Sequence, residues 1–148
     1  MKKGLIIYAT VSGNTEIVCQ QVAQELSDIA NCDLVNCNIV DAQQITAADF
    51  LILASGTYDH GQIQRYMQSF LKKKINDIDL MEKPCAAIGL GDSKYDHIYN
   101  MEAANLLSEF LNTHNGKELV SPLQINFSPI NQLETVVSDW AKKLSEKI

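Results

Sequence analysis

The feature that most constrains this chain is a rhythm. Short, wholly apolar runs alternate with longer stretches whose apolar residues recur at helical spacing. "KGLIIYA" (Lys3–Ala9) is short and almost continuously apolar, the pattern of a strand buried on both faces. Val18, Val22, Leu26 and Ile29 follow at spacings of four, four and three, which predicts one face of a helix. "CDLVNC" (Cys32–Cys37) predicts a second, less apolar strand nearer a sheet edge, and "DFLILAS" (Asp49–Ser55) a third. Ile63, Tyr66, Met67, Phe70 and Leu71 predict a second helix. It runs into Lys72–Lys74, a solvated cationic end that offsets the helix dipole.

"KPCAAIGL" (Lys83–Leu90) reads as a fourth strand, and Ala103, Leu107, Phe110 and Leu111 outline a third helix. "GKELV" (Gly116–Val120) and "LQINF" (Leu123–Phe127) make a fifth strand broken around Pro122. Leu133, Val137, Trp140, Ala141 and Leu144 give a closing helix. Strand–helix alternation five times over predicts an α/β fold: a three-layer, doubly wound sandwich around a five-stranded parallel sheet. Residues 1–148 read as one domain, with no repeat, linker or low-complexity tract. Such sheets bind ligands outside the carboxyl ends of their strands, where the winding reverses. The informative loops are therefore those after strands one, three and four.

The loop after strand one is "TVSGNTE" (Thr10–Glu16). A turn entering a helix N-terminus offers backbone N–H groups and a positive dipole end, which suits a phosphate. Gly13 lets the backbone take unusual dihedrals, and Thr10, Ser12 and Thr15 add hydroxyl donors. Ser12 or Asn14 acting as a simple helix cap is the alternative. The loop has no lysine and no GxxxxGK[ST] pattern, so it is not that of a nucleotide hydrolase, and the GxGxxG fingerprint is absent as well. After strand three comes "SGTYDHGQ" (Ser55–Gln62) and after strand four "GDSKYDHIYN" (Gly91–Asn100). Each carries a loop tyrosine, Tyr58 and Tyr95, able to pack or to stack on a planar ring. A flat ring between two tyrosines, tethered to a phosphate, describes flavin mononucleotide (FMN).

Composition narrows the partners. A net charge of −6 argues against nucleic acid, which needs clustered Lys and Arg. No apolar run approaches the ~18 residues of a membrane span, and the start "MKKGLIIYA" lacks a signal cleavage site. A cytoplasmic protein is expected. Cys19, Cys32, Cys37 and Cys85 show neither metal spacing nor disulfide density and read as buried free thiols. Cys32 and Cys37 lie five apart in one strand, so they are expected on opposite faces. The three histidines lie on separate segments, so no catalytic triad or zinc set is visible.

On "TVSGNTE", "GTYDHG" and "GDSKYD" the chain resembles the flavodoxins, over essentially its whole length. Strand five lacks the ~20-residue insertion of long-chain members, so the likeness is to the short-chain type or to closely related small flavodoxin-like FMN proteins. The resemblance implies strand order 2-1-3-4-5, non-covalent FMN, no catalytic or metal residues, and one-electron shuttling by a monomer between a reductase donor and an acceptor enzyme. It implies that Thr10, Val11, Ser12, Gly13, Asn14 and Thr15 hold the phosphate. Ser55, Gly56, Thr57, Asp59, His60, Gly61 and Gly91 are expected around the cofactor, with Thr57 near the ribityl chain. Tyr58 and Tyr95 would sandwich the ring, and the backbone of Asp92 and Tyr99 would reach its pyrimidine edge. In flavodoxins the peptide after the first aromatic turns its carbonyl toward flavin N5; here that peptide joins Asp59 and His60, at a turn that favours positive φ. His60 is either a group that makes the potential pH-dependent or a solvated loop residue.

The sequence departs from the family in carrying Tyr58 where tryptophan is common and Asp59 where Gly or Asn is. Asp59, Asp92 and Asp96 would make adding an electron to the ring unfavourable, giving a low potential. Three other readings compete: a small FMN-dependent quinone or flavin reductase, a signalling receiver domain, and a partner-binding module that has lost its cofactor. The receiver needs an acidic pocket where this chain has Ala9–Thr10 and Ser55–Gly56.

Overall fold

The alternation becomes a sheet because each apolar run can be buried on both faces. In a computed structural model describing residues 1–9 and 11–148, strands β1 (Lys2–Ala9), β2 (Ala30–Asn36), β3 (Phe50–Tyr58) and β5 (Pro84–Gly91) pair in parallel in the order β2-β1-β3-β5. Thr10, expected at the phosphate, lies outside the described residues. In β1, Leu5, Ile7 and Ala9 enter one buried cluster and Ile6 the other. Leu51 and Leu53 of β3 likewise oppose Phe50, Ile52 and Ala54. Side chains alternate between two cores, so neither face needs polar residues.

Helices α1 (Asn14–Glu25) and α5 (Ser138–Ser145) cover one face through Val18, Cys19, Val22, Trp140, Ala141 and Leu144. Helices α3 (Arg65–Ser69) and α4 (Glu102–Thr113) cover the other through Met67, Ala103, Leu107 and Leu111. This is the expected three-layer, doubly wound architecture. The fifth strand is two short pieces, β6 (Lys117–Glu118) and β7 (Leu123–Asn126), each pairing in parallel with β5. Counted as one, they complete the order 2-1-3-4-5. Between them the Trp140 indole donates to the carbonyl of Ser121 at 2.8 Å, pinning the break to the closing helix.

The structure differs from the sequence reading at several places. Ile63 lies in a two-residue strand, β4 (Gln62–Ile63), antiparallel to the end of β3. The helix begins only at Arg65 because Gln64 is its cap, accepting from the backbone N–H of Tyr66 and Met67. Ile29 is exposed in the turn after α1, where the helix has already ended. A short helix α2 (Ala42–Ala47) starts from a reciprocal capping box between Asp41 and Gln44. It buries Ile45 alone and so has no apolar period to betray it. The four cysteines are free, and Cys32 and Cys37 pack into different clusters, on opposite faces of the sheet. Burial pushes the thiols of Cys32 and Cys37 up to about 11 and that of Cys85 to about 12, so they stay protonated. No described helix is long and apolar enough to cross a membrane.

Candidate functional site

The loops after β1, β3 and β5, with the segment after β7, enclose a cavity of about 540 Å³ at the carboxyl ends of the strands. Ser12, Asn14 and Thr15 line it from the first loop, and Gly56, Thr57, Tyr58, Asp59, His60 and Gly61 from the second. Gly91, Asp92, Tyr95, Asp96 and Asn100 come from the third, and Phe127 and Ser128 from beyond β7. Three loops far apart in sequence converge because parallel strands deliver their C-terminal ends to one edge.

In the first loop Gly13 is the N-cap of α1, with φ 89°, and among the described residues neither Ser12 nor Asn14 caps the helix through its side chain. The capping alternative for Ser12 and Asn14 is therefore not what the loop does. Among the described residues a Cβ on Gly13 would meet nothing within 4 Å, and the left-handed backbone is what calls for glycine there. Glu16, in the first turn, accepts from the Tyr8 hydroxyl at 3.0 Å. Burial, then the Glu16 carboxylate, raises the Tyr8 phenol and keeps it a donor.

The second loop runs through three successive left-handed residues, Asp59 (φ 46°), His60 (φ 58°) and Gly61 (φ 99°). The left-handed turn expected at Asp59 is thus present and extends through His60. Tyr58 is half-buried, its ring lying over Gly56, where a Cβ would come within 2.9 Å of it. Burial raises its phenol, and a hydrogen bond with the Val11 backbone pulls it back. Thr57 lines the cavity while its hydroxyl accepts from the Ala103 N–H at 3.2 Å, fixing the start of α4.

The third loop is folded by its own aspartates. Asp92 accepts from the N–H of Lys94 at 2.8 Å, and Asp96 from those of Ile98 and Tyr99 at 2.9 and 3.0 Å. Asp96 also meets His60 Nδ1 at 2.5 Å, joining the second and third loops. Tyr95 is 82% exposed, with the Lys94 ammonium 5.7 Å from its ring centre. The Tyr99 N–H, the Ile98 N–H and His60 hold the Asp96 carboxyl below the usual range. A carboxyl depressed in the folded state stabilises above its unfolded pKa and loses that contribution as pH falls through the folded value. The wild type is therefore expected to lose thermal stability more steeply than Asp96→Asn between about pH 5 and pH 2, seen as a pH series of melting curves. Parallel curves would remove Asp96 as the source.

Several expected site residues stand elsewhere. The Ser55 side chain is fully buried, donating to the Gly56 carbonyl at 2.8 Å and accepting from the Gln64 N–H at 3.0 Å; it braces the turn and does not face the cavity. Tyr99 packs edge-on against His60, ring centres 4.5 Å apart, and Asn100 rather than Tyr99 lines the cavity. Val11 is exposed beside the loop and is not among the lining residues. Leu90, Asn100, Phe127 and Ser128 line the cavity without having been anticipated. The last two follow the C-terminal end of β7, so the strand-end rule, applied to the fifth strand as to the others, finds them.

The fold and the site first define a class: a doubly wound α/β protein with a ligand crevice at the carboxyl ends of its strands. Hydroxyl and amide donors stand on one loop and tyrosines on two others. The flavodoxin family profile matches residues 6–140, and the chain belongs to the flavodoxin family. It is 27% identical over 149 residues to a probable flavodoxin 2 of Bacillus subtilis, covering 99% of this chain and 97% of that protein. Oxidised flavodoxin 2 from Bacillus cereus matches at TM-score 0.89 with 29% identity, covering 99% of each chain. The Fusobacterium nucleatum flavodoxin, solved bound to flavin mononucleotide, shares the fold at TM-score 0.83 and 20% identity, covering 100% of this chain and 99% of that one.

Proposed function

We propose that this protein binds FMN non-covalently and carries single electrons between redox proteins, as a monomer of the cytoplasm. One observation carries the cofactor assignment: a single cavity joins the N-terminal turn of α1, with Ser12, Asn14 and Thr15, to Tyr58 and Tyr95. Its size suits a small-molecule cofactor. Among the described residues lining it there is no lysine or arginine, so a phosphate there would be met by amides, hydroxyls and the helix dipole. Thr10, Val11 and Gly13 belong to the same proposed collar. Tyr58 and Tyr95 are the proposed stacking partners of the ring, with Gly56, Thr57, Asp59, His60, Gly61, Gly91 and Asp92 around it.

The cofactor supplies the one-electron chemistry, and the chain sets its energy. Asp59, Asp92 and Asp96 place carboxylates on the cavity wall, so reduction of the ring is opposed and the carrier is a strong reductant. The four free thiols suit a reducing compartment. The test is the absorption spectrum of the purified protein with identification of the flavin released on denaturation. FMN bound in a 1:1 ratio is expected; a protein that neither carries nor takes up FMN overturns the reading. Turnover of a nicotinamide and a quinone by the isolated protein would instead favour a reductase.

The left-handed turn has its own consequence. Asp59 holds φ 46°, which glycine takes freely and aspartate takes with strain. Asp59→Gly is expected to let the Asp59–His60 peptide reorient more easily. The gap between the two one-electron potentials should change in favour of the first reduction in an equilibrium redox titration. An unchanged gap would show that turn strain does not set it.

A further inference from the structure

Phe127 is a bulky residue in a conformation that such residues avoid. Its φ is 68°, and for a bulky aromatic residue a left-handed backbone is a strained outlier that persists only where its surroundings impose it. Here they do. The Phe127 N–H donates to the Gly91 carbonyl at 2.9 Å. The Gln132 side-chain amide donates to the carbonyls on either side, Asn126 at 2.8 Å and Ser128 at 3.0 Å. The Asn126 side chain is fixed in turn: its Oδ1 accepts from the Ser93 N–H at 3.0 Å and from Asn100 Nδ2 at 3.3 Å. The result is an aromatic residue that is 55% exposed and lines the cavity beside the loop that carries Tyr95. Packing within the protein does not explain it, because a half-exposed phenyl gains little from the core. What it gains is a place on the wall of the ligand cavity.

We infer that Phe127 is a third aromatic contact for the planar ring of the bound flavin, kept in a strained backbone for that purpose. This rests on the flavin reading of the cavity. The contact is to the ring and not to the phosphate, so it acts on FMN and riboflavin alike. The experiment titrates FMN and riboflavin into apoprotein of the wild type, Phe127→Asn, Phe127→Gly and Phe127→Tyr, following flavin fluorescence, with a melting curve for each apoprotein. Asn and Gly tolerate the left-handed backbone, so both variants are expected to be at least as stable as the wild type while binding both flavins about fivefold more weakly. Phe127→Tyr should bind like the wild type. Unchanged flavin affinity in Phe127→Asn and Phe127→Gly, or a loss confined to FMN, overturns the inference while leaving the flavin reading intact. A wild-type apoprotein that binds no flavin overturns both.

Discussion

Alanine at Gly91 is expected to weaken FMN binding by about a hundredfold, about 2.7 kcal/mol, with the sheet still formed. A Cβ built on Gly91 would lie 1.5 Å from the Asn100 carbonyl oxygen and 2.6 Å from its carbon. No side-chain rotation relieves a clash with backbone, so the loop from Asp92 to Asn100 must move as a whole. That loop carries Asp92, Tyr95, Asp96 and Asn100 into the cavity, and its ends are tied by Asn126. Its aspartate-built turns must move with it, and its bond to His60 must stretch or break. Titration of apoprotein with FMN measures the effect, and far-ultraviolet circular dichroism confirms the fold. Affinity within about threefold of the wild type would mean that the loop adapts and that its position does not set binding.

Two residues earlier the same chemistry is expected to act on stability instead. A Cβ on Gly89 would sit 2.3 Å from the Ala104 nitrogen, 2.5 Å from its Cβ and 2.7 Å from its Cα. Gly89 and Gly91 share one face of β5, since strand residues two apart point the same way. Gly89 lies under the helix itself, where α4 rests directly on the sheet. Gly89→Ala must lift α4, and with it the contacts of Ala103, Leu107 and Leu111 with the core. Overpacking of this kind typically costs about 1–3 kcal/mol, and a clash with two backbone atoms and a Cβ, none of which a rotamer change can move, belongs at the upper end. Urea denaturation followed by tryptophan fluorescence from Trp140 and by circular dichroism reads the change. A midpoint equal to that of the wild type would show that the helix–sheet spacing has slack. The pair separates two roles of small residues on one strand: Gly89 sets how close the helix lies, and Gly91 sets where the loop preceding it goes.

Much of this protein was legible in its sequence because burial on two faces leaves an unmistakable pattern. The continuous apolar runs of β1, β3 and β5 require helices above and below, and Val18, Val22, Leu107, Leu111, Trp140 and Leu144 supply the matching faces. Parallel strands send their C-terminal ends to one edge, so "TVSGNTE", "GTYDHG" and "GDSKYD" had to meet there. The left-handed turn at Asp59 was anticipated from the resemblance to the flavodoxins and not from the pattern of apolar residues.

Only the tertiary structure decided the rest, and each case turns on a specific contact that no periodicity records. Ile63 has helical spacing to Met67, yet it pairs with Thr57, and the Gln64 N–H finds the buried Ser55 hydroxyl. Ser55 looks like a donor for a ligand until its two hydrogen bonds turn it inward. Asp96 reaches His60 across 36 residues, and Asn126 reaches Ser93 across 33. Phe127 reads as the last apolar residue of a strand, and its left-handed turn into the cavity follows from hydrogen bonds to Gly91 and Gln132. Periodicity records which faces are buried. Which side chain meets which across the cavity is a long-range matter of backbone geometry, and it leaves no periodic trace in the sequence.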